Sequence, residues 1–225
     1  NEALTTSSAL TVDAGSIDFA NVTMGGNLSI TSSSTIDLGT VTGSGHNFTL
    51  VSGNNSNITL SSVGTNAAPV GTVSITTNGT SIISTSGDWF TNQATLGATT
   101  PSGAFSITTS DDNITLGTLL GTSNVTLTSG SGTITLGNIG SNSSDVGILA
   151  LSSSAAVSSA GNWYLGNITG DAAITTTGAL TIDAGSVDFG NIINGGNLSI
   201  TSSSTIDTGT ITGANFNVTL ASGSN

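Results

Sequence analysis

Apolar and polar residues alternate along this chain in short runs that return at near-regular intervals. The commonest run is Asn/Thr–apolar–Ser/Thr–apolar–Thr: NLSIT at 27–31, NFTLV at 47–51, TVSIT at 72–76, AFSIT at 104–108, NVTLT at 124–128 and NLSIT at 197–201. A period of two marks a strand with one face buried and the other wet. A second run, apolar–Thr/Asp–x–Gly–x–apolar, follows in most units, as in VDAGSI (12–17), IDLGTV (36–41) and ITLGNI (134–139). It predicts a second strand, with Gly15, Gly39, Gly117, Gly137, Gly185 and Gly209 at a corner that asks for positive φ or a bulge.

The first inward apolar residues then fall at 4, 28, 48, 73, 105, 125, 149, 174, 198 and 218. Leu28, Phe48, Val73, Phe105 and Val125 are expected to stack as one internal ladder. A longer period encloses this one. Residues 4–53 return as 174–223 at an offset of 170, with 34 of 50 positions identical. Most other pairs exchange like for like, as Val12/Ile182 and Ile17/Val187 do.

Units of two strands with a turn, recurring along the chain, predict an all-β fold: a parallel β-helix, or β-solenoid. The expected count is about ten rungs of 20–32 residues, seven to each 170-residue superrepeat. Residues 1–225 form a single continuous solenoid, of which 4–173 is one full repeat and 174–225 the start of the next. At ~4.8 Å between stacked strands, seven rungs advance roughly 34 Å. The Leu-x-x-Leu-x-Leu signature of leucine-rich repeats is missing, and a propeller blade needs about 40 residues.

Composition narrows the function. The chain has no Lys and no Arg against 12 acidic residues, a formal charge of −12. Nucleic acid is excluded as a partner, because its binding rests on basic side chains neutralising phosphate. Docking on anionic lipid fails for the same reason, and no apolar run approaches the ~18 residues of a membrane span. Ser and Thr supply 77 residues and Gly 31, yet 35% of the chain is hydrophobic and periodically placed, which argues for fold over disorder. The absence of Cys removes disulfides and thiolate metal sites.

Rungs such as GNLSITSSSTIDLGTVTG resemble the repeats of filamentous-haemagglutinin-type exoproteins and autotransporter passenger domains. The resemblance runs along the whole chain at the level of texture. It implies a secreted or cell-surface right-handed parallel β-helix, often an adhesin, and carries over no functional residue.

Candidate chemistry is sparse. Asp13 and Asp37, repeated as Asp183 and Asp207, are expected at one outward position on successive rungs, where carboxylates about 5 Å apart stand as solvated surface acids in the first reading and share a proton or a cation in the alternative. Oxygen ligands favour Ca²⁺, though two carboxylates make a thin cage and no other cofactor is implied. Asp111–Asp112 is the one adjacent acidic pair, and as turn residues both would face water. His46 is replaced by Phe216 in the second copy, and Met24 by Asn194, so neither reads as a site. Trp89 and Trp163 fall at inward positions and are expected in the core. The segment TNQATLGATTPSG (91–103) lies in the longest step and predicts a loop, the first choice for recognition. Thr spacing looks too irregular for a flat hydroxyl array. Twelve Asn lie in Asn-x-Ser/Thr sequons: Asn21, Asn27, Asn47, Asn54, Asn57, Asn78, Asn113, Asn124, Asn142, Asn167, Asn197 and Asn217. Each is a candidate for glycosylation, and an Asn ladder along a turn accounts for them equally well.

The function expected is structural and non-enzymatic: a segment of a long extracellular filament, stalk or adhesin shaft, with neighbouring repeats as its partners through end-to-end or lateral assembly. The alternative is a module that binds glycans or matrix through an exposed face or the 91–103 loop. A polysaccharide hydrolase ranks behind both.

Overall fold

A computed structural model describes residues 2–223. They form 22 strands joined by turns in one continuous sheet, and every pairing between named strands is parallel. No helix occurs among the described residues. The sheet winds into a three-sided coil, the β-solenoid expected from the alternation. Its sides are called here faces A, B and C, in the order the chain visits them from Leu10.

Face A begins with Leu10–Ala14, face B with residues 17–19, and face C with residues 22–23, on which residues 2–5 stack from the other side. The next turn repeats the order with Leu28–Ser32 on A, Ile36–Leu38 on B and Val41–Thr42 on C. Each face stacks eleven deep. Face B can be followed inward through Ile17, Ile36, Ile58, Ile83, Thr99, Leu119, Ile139, Trp163, Ile182, Ile200 and Leu220. Like stacks on like because a parallel in-register pair places equivalent side chains at one level, ~4.8 Å apart.

The core is the column these inward residues enclose. Ile36, Phe48, Leu50, Ile58, Val63 and Ile83 are all fully buried, while outward Ser, Thr and Asn face solvent. Burying one such aliphatic or aromatic side chain contributes about 1.5–3 kcal/mol. Corners are closed by buried hydroxyls. Ser32 Oγ donates to the carbonyls of Gly15 (3.0 Å) and Thr35 (3.3 Å) and accepts from the Ser34 amide. Ser202 repeats this with Gly185, Thr205 and Ser204. The TSSST run thus folds the same way in both copies.

Three details differ from the sequence expectation. The first is the ladder: Leu28, Phe48 and Val73 do stack, but Val73 then meets Ala94 on face A, whereas Phe105, Val125 and Leu149 stack on face C. One strand template serves all three faces, so equal motifs do not mean equal sides. The 170-residue repeat therefore holds more turns than seven. Each turn takes 16–26 residues, seen as the intervals between Ile83 and Thr99 and between Val63 and Trp89.

The second is the 91–103 segment, which is no loop. Ile83–Leu96 and Thr99–Thr108 are strands, with Ala94 and Leu96 inward on face A and Thr99 inward on face B. Small and hydroxylic residues took the inward places here, which erased the apolar period. Thr91 is buried as well, its hydroxyl donating to the carbonyls of Gly71 and Gln93.

The third concerns the corner glycines. None of Gly15, Gly39, Gly117, Gly137, Gly185 and Gly209 has positive φ. Crowding explains most of them instead: a Cβ on Gly39 would lie 1.6 Å from the Ala20 carbonyl oxygen of the turn beneath.

Candidate functional surface

The acidic residues come together differently from the expected arrangement. Asp13 pairs with Thr31, not Asp37. Its counterpart Asp183 lies between Tyr164 and Thr201. The carboxylate partner of Asp37 is Asp18, and that of Asp207 is Asp188. The pairs sit where IDF stacks on IDL and VDF on IDT. The Asp of VDAG and the Asp of IDLG lie on different sides of the coil, because the strand after the first corner carries the next Asp. All four paired carboxylates are exposed, and no cluster of three or more His, Asp or Glu occurs among the described residues. Two solvated carboxylates on a flat sheet are too few oxygens for a Ca²⁺ cage without further ligands.

Asp111 and Asp112 occupy a turn, both exposed. Asp111 Oδ1 accepts from the amide (3.2 Å) and hydroxyl (2.9 Å) of Ser131 on the next turn. The Asp112 carbonyl accepts from Thr109 Oγ1 at 2.6 Å. The pair braces successive corners. His46 is half-buried in a turn of its own, and its counterpart Phe216 is exposed.

Both tryptophans point inward, as expected, and are fully buried. Trp89 Nε1 donates to the Ser61 carbonyl at 2.8 Å, and Trp163 Nε1 to that of Gly137 at 3.0 Å. Trp89 meets Phe105 edge-on at 5.2 Å, and Trp163 meets Phe189 at 6.4 Å. Neither ring is open to a sugar. Each follows a positive-φ glycine by two residues, Gly87 (φ 79°) and Gly161 (φ 110°), where the strand register slips.

This symmetry reveals a module that the alternation alone did not display. ITLSSVG (58–64) matches ITLGNIG (134–140), and ISTSGDWF (83–90) matches VSSAGNWY (157–164). Between them, Thr65 and Ala68 bond reciprocally through their backbones, as do Ser141 and Ser144, forming two small excursions from the coil. The offset changes from 76 to 74 within the module, which hid it from a fixed-period comparison.

Eleven of the twelve sequon asparagines are exposed, and Asn167 is half-buried. Many are committed to the coil. Asn27 Oδ1 accepts from the Asn47 amide at 3.0 Å, Asn47 Oδ1 from the Thr72 amide at 3.0 Å, and Asn113 Oδ1 from the Thr133 amide at 2.8 Å. Asn21, Asn57, Asn124 and Asn197 make the same bond to the next turn. This satisfies a backbone N–H that the bending strand leaves without a ladder partner. The non-sequon residues Asn138 and Asn191 do likewise, so the bond does not depend on the sequon.

The outward side of face A carries an uninterrupted hydroxyl row. Thr11, Ser29, Thr49, Ser74, Thr95, Thr115, Thr135, Ser158 and Thr175 are partners turn by turn, before Ile193 breaks the file. Irregular spacing in sequence becomes regular in space because corners absorb the extra residues. No family model matches this chain, and neither a characterised protein nor a solved structure does.

Proposed function

We propose that this chain is a non-enzymatic shaft segment of a secreted or cell-surface filament, stalk or adhesin, built for length. The observation that carries the reading is the unbroken three-sided stack, in which each turn is held by its neighbours and repeats add without redesign. Its texture resembles exoprotein and autotransporter repeats. A surface without Lys or Arg offers trypsin-like proteases no site, and its Ser, Thr and Asn suit an exported rod.

The partner is the chain's own kind. Val218 and Leu220 stack on Leu198 and Ile200 and are 45% and 47% exposed, while their counterparts Phe48 and Leu50 are fully buried beneath Val73 and Ile75. Within the coil each turn is thus covered by the next. Glycan recognition is the weaker reading, since the expected loop is a pair of strands and both indoles are buried. The engagement of Asp111 with Ser131 disfavours a hydrolase.

Intact cells of the native source, treated with proteinase K or trypsin and probed with antibody, test the reading. Loss with proteinase K alone, together with rods of ~4.8 Å layers by electron cryo-microscopy, is expected. Protection in intact cells with release only on lysis would overturn it. Deglycosylation with a mass shift would assign the sequons.

A further inference from the structure

The two near-identical segments lie on different sides of the coil. The hydroxyl row of face A runs from Thr11 through Ser29, Thr49, Ser74, Thr95, Thr115, Thr135 and Ser158 to Thr175, eight steps and therefore eight turns. The counterpart of Thr11 is not Thr175 but Thr181, one side further along. Thr181 stacks between Asn162 and Ser199 on face B.

Every landmark shows the same displacement. Ile17 is on face B and its counterpart Val187 on face C, where Val187 pairs with Ile168 and Ile206. Val22 is on face C and Ile192 on face A, between Ile174 and Ile211. The carboxylate pair Asp18/Asp37 lies on B, and Asp188/Asp207 on C. The 170-residue repeat is thus eight turns and one side, or twenty-five sides of a three-sided coil.

We infer that tandem copies of this repeat are related by a screw of one third of a turn, so each repeat presents its surface one face round from the last. The rise per repeat is about 40 Å, and the same face returns only after three repeats, about 120 Å along the axis. The coil permits this because its sides are interchangeable inside: aliphatic ladders line all three, and the Leu-Ser-Ile strand sits on face A at Leu28–Ser32 and on face B at Leu198–Ser202.

The consequence is for contact between copies of this chain. A whole-turn repeat would place every Asp pair on one side and leave the rod one-sided. The third-turn screw distributes the acidic pairs and the hydroxyl rows evenly, and identical surfaces face three directions. This extends the shaft reading, yet it rests on strand register and not on where the protein works.

Cysteine cross-linking in the full chain tests it, aided by the absence of native Cys. Ser74→Cys with Thr95→Cys, and Asp88→Cys with Ser106→Cys, join partners of the observed register. Ser74→Cys with Ser106→Cys joins partners of a seven-turn register, in which Val73 would stack on Phe105. All four positions face outward, so folding survives. With a short bis-thiol reagent and peptide mapping, the first two pairs are expected to cross-link at least tenfold more than the third. Preferential Ser74–Ser106 linkage would overturn the inference. So would a cryo-microscopy map of a multi-repeat array in which successive repeats superpose by translation without rotation. Either result would leave the cell-surface reading to its own protease test.

Discussion

The indole of Trp163 reaches back one turn and donates its N–H to the carbonyl of Gly137, as Trp89 does to Ser61. A ring at the core of a coil brings one polar atom with it, and this bond is what lets it be buried. Trp163→Phe leaves the Gly137 oxygen without that donor and is expected to cost about 1–3 kcal/mol. Trp163→Ala adds a cavity and should cost about 3–5 kcal/mol. Urea unfolding followed by circular dichroism measures both, and a Phe variant indistinguishable from the parent would contradict the role given to the bond.

Asn194 stands where the first copy has Met24, and both are buried. Its Oδ1 has no hydrogen-bond partner. An unpaired buried carbonyl oxygen costs about 1–3 kcal/mol, so Asn194→Met should stabilise the chain by that order. Gly213 beside it matches Gly43 beside Met24, which indicates that the longer side chain has room. A lower melting temperature would show that the second copy has repacked around the amide.

Gly161 holds φ at 110° inside the strand Val157–Thr169, two residues before Trp163, and a Cβ there would come within 2.4 Å of Asn138 Oδ1. Gly161→Ala is expected to destabilise by about 1–3 kcal/mol through backbone strain. Gly15, with open space around its position and ordinary φ, should accept Ala within about 1 kcal/mol. Equal effects at the two sites would refute the distinction.

Asp18 and Asp37 place like charges on partnered positions of adjacent turns. Such pairs are destabilising. Asp37→Asn should raise the melting temperature at low salt, and the gain should shrink as NaCl screens the parent's repulsion. Asp13→Asn, opposite Thr31, should show a smaller gain. If millimolar Ca²⁺ stabilised the parent well beyond NaCl of equal ionic strength, the pair would be a cation bridge instead.

The solenoid was legible because alternation is a local property. Whether Leu28, Ile30 and Phe48 turn inward depends on the period of two and on their own chemistry. The inward tryptophans followed from the same rule. The Asp pairing and the hydroxyl row were not legible, since both depend on which turn lies above which. A corner can absorb extra residues without altering either strand, so distance along the chain does not measure position around the coil. Thr91 and Thr99 show the second obstacle: buried hydroxyls bonded to nearby carbonyls occupy inward places that a hydrophobic pattern marks as loop.

The sequence by itself therefore determined the class of fold, the inward faces and the tandem repeat. Only the tertiary structure decided the number of sides, the register between turns and the third-turn offset of the repeats. The physical reason is that strand formation is specified residue by residue, whereas register in a coil of interchangeable sides is decided by how the corners close.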